Sequence, residues 1–440
     1  MNILIIGSGA REHAFCWKLK ESNKAKDIFV APGNSGTAKI ASNLSIDVLN
    51  FEELKKSILN LSINLVIVGP EIPLIEGVVD FINNDIDLAS VLVVGPSQAG
   101  AMLEGSKDFS KEFMFKHNIP TAKYKSFNCE NLDKGLDYLG TIPPPYVLKA
   151  DGPAAGKGVL IIDNLKDAKN ELINMLKNNK FGASGHNVVI EEFLDGIELS
   201  CFVLTDGKSY KIMPYAKDYK RIGEGDKGLN TGGMGAVSPV PFASKEFLSK
   251  VEERIIKPTI KGLKLDNLPY KGFVFIGLIM VNNEPYVIEY NVRMGDPETQ
   301  VVLPRVKTDF LELMISTAKG SLSECNMEIL DETYSNIVMV AGGYPENYEK
   351  GNIITGIPED TENTQNYSKP MKNVVRVQDE TKKNRKIFIS QARLLVVGIL
   401  EELRPSHGIL GWDKLYQKIG KHKKRKLVAN LKLIGALMWK

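Results

Sequence analysis

Short apolar runs recur through the first hundred residues: NILIIG, DIFVAPGN, NLVIVGPE and SVLVVGPS. Each ends in glycine or a Gly-Pro step, and segments with helical periodicity, such as REHAFCWKLKES, lie between them. Brief apolar strands separated by helices predict a parallel sheet covered on both faces, here over residues 1–104. Beyond it the pattern predicts a helix over SKDFSKEFMFKHN, then strand, glycine-rich loop and strand in PPPYVLKADGPAAGKGVLIID. A helix over LKDAKNELINMLKNN, strands NVVIEEFL and GIELSCFVL, and the glycine-rich EGDKGLNTGGMGAVSP follow. A long helix around Lys245–Lys261 precedes the strands YKGFVFIGLIMV and PYVIEYNVR, and VKTDFLELMISTAKG reads as a further amphipathic helix. No internal repeat is evident.

The 440 residues, 43% hydrophobic and 25% charged, describe an ordinary soluble protein of two to four domains. The start MNILIIGSGAREH reads as a first strand rather than a signal peptide, and the apolar stretch Phe273–Val281 is too short to cross a bilayer. No membrane association is expected. Four cysteines without CxxC spacing point to free thiols in a reducing cytoplasm and away from zinc. The net charge of +3 hides an asymmetry: residues 372–440 hold 17 Lys+Arg against 5 Asp+Glu, and the preceding residues 39 against 48. The basic tail, with its run KHKKRK, reads as a solvated segment; nucleic-acid binding is the less favoured alternative.

Candidate chemistry clusters at strand ends, where open α/β sheets hold ligands. GSGAREH lacks the third glycine of a dinucleotide fingerprint, with Glu12 in its place, so a phosphate site at the helix start is favoured, aided by Arg11 and His13. ADGPAAGKGV fails as a Walker A loop: it is one residue short, Gly158 stands where Ser or Thr is needed, and a strand follows. A glycine-rich hairpin folded over phosphates, with Lys149 and Lys157 as cations, is favoured over a plain surface hairpin. In IEEFLDGIE the backbone after Glu191 and Glu192 offers adenine a donor and an acceptor, and Glu198 offers the ribose an acceptor, though acidic hairpins are common. If PYVIEYNVR is a strand, Glu289, Asn291 and Arg293 share one face. Carboxylate and amide oxygens two residues apart suit Mg2+, and the arginine suits phosphate or carboxylate. A solvated strand edge is the alternative.

The ordered array of Lys107, KADGPAAGKG, IEEFLDGIELS, KDYKRIGEGDKGLNTGGMGA and EYNVRMGDPETQ resembles the ATP-grasp superfamily. With GSGAREHA, APGNSGT and GPE at the amino end, it resembles the phosphoribosylamine–glycine ligase family in particular, over residues 1 to about 357. The resemblance implies an α/β and α+β multidomain chain. Its parts would be a parallel α/β domain over 1–104, an ATP-grasp fold over 105–330 with a smaller subdomain at 120–195, and a carboxy-terminal lobe over 331–440. It implies ATP and Mg2+ (or Mn2+) as cofactors, with glycine and 5-phosphoribosylamine as substrates. The reaction would pass through glycyl phosphate to glycinamide ribonucleotide, in purine biosynthesis by a monomer.

By the same resemblance Glu289 and Asn291 hold the metal, and Lys107, Lys149 and Lys157 meet the phosphates. Glu191, Phe193, Leu194 and Glu198 line the adenosine side; Arg293, Asp218 and Lys157 are the catalytic set. Gly9, Arg11, Glu12, Asn34, Gly36, Glu71 and Asp296 hold substrate, chiefly phosphoribosylamine. The chain departs from the family at Pro153, at Tyr219, and above all after Lys372, where the paired glycines of a GGRVL-type turn are missing. That tail reads either as a poorly packed segment left by a shifted reading frame or as a diverged lobe. Another ATP-grasp ligase or carboxylase, or a non-catalytic nucleotide-binding protein, is the competing assignment.

Overall fold

The computed structural model describes residues 1–154, 158–178, 180–223 and 227–349. Lys157 and the whole basic tail, two subjects of the sequence reading, lie outside the described residues.

Most of the described chain, residues 1–218 and 235–336, forms one compact unit. Its spine is a nine-stranded sheet. The strands β1 (Ile3–Gly7), β2 (Ile28–Pro32), β3 (Ser42–Asn43), β4 (Leu65–Val68) and β5 (Leu92–Pro96) are parallel neighbours in the order β5-β4-β1-β2-β3. β1 and β4 are buried at every position, which is why they read as unbroken apolar runs. Helix α1 (Ala10–Lys20) follows β1 and packs Ala14, Phe15 and Leu19 beneath the sheet.

A second sheet comprises β6 (Tyr124–Asn128), β7 (Tyr146–Ala150), β8 (Val159–Ile162) and β9 (Asn187–Glu192), all antiparallel, in the order β6-β9-β7-β8. It follows α2 (Lys107–Lys116) in the chain, and α3 (Leu132–Leu139) and α4 (Leu165–Leu176) close its own core around Leu148, Leu172, Met175 and Ile190.

The chain then returns to the large sheet through β10 (Ile197–Thr205), β11 (Tyr210–Ile212), β12 (Tyr270–Val281) and β13 (Glu284–Asn291). β12 pairs with β10 and β13 along its length and with β5 at its start, where Tyr270 faces Pro96 and Lys271 faces Gly95. One sheet therefore runs on between residues 1–104 and the later region. The approach is close: a Cβ on Gly272 would lie 3.2 Å from the Gly95 Cα. The long helical stretch expected near Lys245–Lys261 runs from Lys245 to Leu265 with one wider turn at Glu252–Ile256.

Residues 219–234 and 337–349 belong to a second compact unit. In it the Val338 N–H donates to the Met234 carbonyl, and the Gly232 N–H to the Tyr344 hydroxyl. Among the described residues no helix is long and apolar enough to cross a membrane.

Candidate functional site

The turn after β1 is organised by a carboxylate. Glu12, buried on α1, accepts the Gly9 N–H with one oxygen and the Arg11 Nε at 2.7 Å with the other. Two glycines make its place: a Cβ on Gly7 or Gly69 would come within 2.7 Å of the Glu12 Cδ. Arg11 is buried too, and its Nη1 donates to the Met294 carbonyl at 2.8 Å. Through that bond its guanidinium ties the first turn to the segment after β13. Asn34 spans the neighbouring loops, its Nδ2 donating to the Ser8 and Gly9 carbonyls and its Oδ1 accepting the N–H groups of Gly36 and Thr37. Asp296 reaches the same turn, with its Oδ2 3.6 Å from where a Gly9 Cβ would be.

Of the expected row Glu289, Asn291 and Arg293, the first two lie on the strand, and the Glu289 charge acts on Arg293. β13 ends at Asn291, and Arg293 sits in the bend beyond it. There its Nη2 donates to Glu104 at 2.6 Å and its Nε lies 3.4 Å from Glu71. Glu104 also accepts the Val292 N–H. Burial works against ionisation of Glu71, but Arg293, its own N–H and Arg11 together hold its pKa below the ordinary value. Glu104 is more deeply enclosed, and burial outweighs Arg293 there, so its pKa is raised. Gly9, Arg11, Glu12, Asn34, Gly36, Glu71, Asp296 and Arg293 are thus joined through contacts around one turn.

A second cluster gathers at α2, β7 and β9. The Lys149 Nζ lies 2.9 Å from Glu191 and donates to the Ile288 carbonyl at 3.2 Å. Lys107, at the start of α2, donates to the carbonyls of Asp151 and Gly152. Its pKa is pushed down by burial and by Lys149, against the pull of Glu289, Asp151 and Glu191. After β9 the chain leaves Phe193 exposed and Leu194 half-buried, and Glu198 lies on β10 opposite Ile279. Asp218 is buried at the end of the first unit.

β13 carries the two oxygen donors proposed for a metal. A register shift at Ile288 sets Glu289 opposite Gly277 and Asn291 opposite Phe275. Gly277 leaves room, since a Cβ there would lie 3.2 Å from the Glu289 Cγ. Asn291 is buried, and its Nδ2 has no hydrogen-bond partner among the described residues. No group of three or more His, Cys, Asp or Glu suited to a metal occurs among the described residues. A carboxylate and an amide oxygen two residues apart on one strand are of the oxygen-donor kind that Mg2+ takes, its shell completed by phosphate oxygens and water.

Sequence reasoning assigned nothing to Glu104, Lys111 or Glu298. Glu104 stands at the edge of the first expected domain, Lys111 within the helix expected over SKDFSKEFMFKHN, and Glu298, buried with the Ser200 hydroxyl at 3.1 Å, in the GDPE turn. The GDPETQ motif around Glu298 was the available signal.

Residues 1–104 match the phosphoribosylglycinamide synthetase N domain, and residues 105–299 match the ATP-grasp (A) domain of the same synthetase. The chain is 46% identical over 362 residues to phosphoribosylamine–glycine ligase of Haemophilus influenzae, covering 82% of this chain and 83% of that one. It is 45% identical to a bifunctional purine biosynthetic protein of Pichia angusta, of which it spans 46%. A crystal structure of phosphoribosylamine–glycine ligase from Thermotoga maritima superposes with a TM-score of 0.71 at 31% identity, over 90% of this chain and 97% of that one. The chain belongs to the phosphoribosylamine–glycine ligase family, with an ATP-grasp fold behind its own amino-terminal domain.

Proposed function

We propose that the chain joins glycine to 5-phosphoribosylamine at the expense of ATP, forming glycinamide ribonucleotide, ADP and phosphate, and that glycyl phosphate is the intermediate. A carboxylate resists attack by an amine because its oxide is a poor leaving group; transfer of the ATP γ-phosphoryl to glycine makes phosphate the leaving group. The observation that carries this reading is the stretch Ile288–Met294. At its start the Ile288 carbonyl accepts from Lys149 of the phosphate-side cluster, and at its end the Met294 carbonyl accepts from Arg11 of the amino-terminal turn. Nucleotide side and amine side therefore meet on one short piece of backbone.

Roles follow from placement. Lys107 and Lys149 offset the repulsion between triphosphate and glycine carboxylate, and Lys157 is assigned with them on the family motif alone. Glu289 and Asn291 hold Mg2+ or Mn2+, which when bound screens phosphate charge. Arg293, steadied by Glu71 and Glu104, orients the glycine carboxylate, with Asp218 assigned beside it on the family motif. Glu191, Phe193, Leu194 and Glu198 form the adenosine side. Gly9, Arg11, Glu12, Asn34, Gly36, Glu71 and Asp296 shape the phosphoribosylamine turn, Arg11 and Glu12 by holding it rather than by direct charge contact. The same reading divides the chain at 104/105 and 330/331 and places the monomer in the cytoplasm; its four free cysteines accord with a reducing setting.

The test is ADP release with glycine and phosphoribosylamine, each alone and together. Turnover that requires both supports the ligase; turnover with neither, or with a different amine, points to another ATP-grasp reaction. Glu289→Ala should remove divalent-cation-dependent turnover, and a fully active variant would refute the metal assignment.

A further inference from the structure

Away from both clusters, a cavity of about 520 Å³ opens between the β10–β11 hairpin and the helix Lys257–Leu265. It lies past the Thr205 end of β10, whereas Glu198 stands near the other end, about 23 Å back along the strand at ~3.3 Å per residue. Five lysines line it: Lys208 and Lys211 from the hairpin, and Lys257, Lys261 and Lys264 from the helix, where their spacing puts all three on one face.

These charges are unevenly answered. Lys257 pairs with Glu253, and the neighbouring Glu252 accepts the Tyr210 hydroxyl at 2.8 Å. Lys264 sits in the last turn of its own helix, and a Cβ on Gly320, which caps the helix Phe310–Lys319, would lie 3.9 Å from the Lys208 Nζ. Both lysines thus meet the negative end of a helix. Lys211 and Lys261 have neither a helix end nor, among the described residues, a carboxylate. Their charges repel those of their neighbours across a concave surface, where the field of one sign is concentrated.

The hairpin lip is built rather than loose. Asp206 is buried; its Oδ1 accepts the N–H groups of Lys208 and Ser209, and its Oδ2 accepts the Leu322 N–H at 2.9 Å. Gly207, at φ +82°, brings the turn so near β12 that a Cβ would lie 2.9 Å from the Tyr270 carbonyl oxygen. A ligand here meets a wall already in place, which lowers the cost of ordering on binding. Tyr210 and Ile260 add ring and aliphatic surface between the charged groups.

We propose that this cavity is a binding site, separate from the candidate active centre, for a small organic anion carrying two phosphate groups. Its volume is that of a small-molecule site, lysines on opposite walls suit two separated phosphates, and the apolar surface between them suits the carbon frame that joins the phosphates. The inference stands apart from the ligase reading.

The test is calorimetric titration of the full chain at low salt with fructose 1,6-bisphosphate, which carries two phosphates and no base. Saturable binding with Kd below about 1 mM is expected, weaker by about tenfold or more for fructose 6-phosphate and weakened by added salt. The double variant Lys211→Gln/Lys261→Gln should lose about tenfold or more in affinity, while Lys56→Gln, an equally exposed lysine on the helix Phe51–Asn60, should change it less than about twofold. Saturating ADP and ribose 5-phosphate should leave the bisphosphate bound. Absence of saturable binding, equal affinity for the monophosphate, equal weakening by Lys56→Gln, or displacement by ADP or ribose 5-phosphate would overturn the proposal. So would a single-stranded RNA that binds more tightly than the bisphosphate and displaces it, since the site would then belong to a polymer. If the double variant does not fold, Lys261→Gln alone decides, with a loss of about threefold or more expected and an unchanged Kd counting against the site.

Discussion

Arg293 is held by two carboxylates, Glu104 and Glu71, in a setting with little water. Neutralising one removes part of the counter-charge around a buried guanidinium that Glu298 and Glu289 also influence, a loss that falls on whatever anion Arg293 must orient. Glu104→Gln should therefore lower kcat about 10- to 100-fold, or about 1.4–2.7 kcal/mol in barrier, while KM for ATP stays within about twofold. Steady-state kinetics with ATP and glycine varied separately would show it; an equal rise in both KM values with kcat intact would mean Arg293 acts in binding alone. Lys111 makes a prediction in pH. Burial first, then Lys149, push its pKa down from 10.5 to about 8, against the pull of Glu191 and Glu192. Between those two values the unfolded chain keeps a proton that the folded chain has lost, so this group makes the unfolding free energy rise with pH across the window. Urea unfolding at pH 7.5 and 9.5 should show that rise in the wild type, and Lys111→Met should lack this component.

At the scale of elements, the turn between β1 and α1 depends on Gly69, which sits on the neighbouring β4–helix turn. Gly69→Ala would drive a methyl into Glu12, costing about 1–3 kcal/mol in thermal unfolding, and should raise KM for phosphoribosylamine more than KM for ATP. The motif GSGAREH made this turn legible as a functional element, but not the direction of its charges. Arg11 and Glu12 look like ligand-facing groups in the sequence; their contacts with each other and with Met294 exist only once α1 has packed. The same limit applies to where the strand before Arg293 ends. Alternation along a strand presupposes regular pairing, and neither the shift at Ile288 nor the end at Asn291 carries a signal in the side chains Ile, Tyr and Val. The partners of Glu104 and Lys111 were hidden by distance along the chain: Glu104 meets a residue 189 positions later, a separation no local periodicity encodes. The apolar runs, by contrast, fixed their own strands because burial on both faces leaves no polar position to misread.

For the molecule as a whole, the pairing of β12 with β5, Tyr270 opposite Pro96, means that residues 1–104 supply strands to a sheet completed far later in the chain; Ser97 likewise bonds Pro269, 172 positions on. A fragment ending near Gly105 would leave β5 as a bare edge and uncover Leu74, Val79 and Leu103, which share a core with Val274 and Ile276. Such a fragment should bind a hydrophobic dye and elute as aggregates in size exclusion, whereas a well-behaved monomer would show that the sheet junction is dispensable. The unit of residues 1–218 and 235–336 should correspondingly melt in one transition.

The backbone from Ile288 to Met294 also works as a ruler. Its carbonyls at the two ends are spoken for by Lys149 and Arg11, and Glu289, Asn291 and Arg293 are graduated between them. Lengthening it by a single alanine would rotate the downstream side chains and misplace the far carbonyl together. Tolerance of exchange at Tyr290 or Val292 should therefore exceed tolerance of any change in spacing, and relatives that differ in this stretch should do so by letter and never by length.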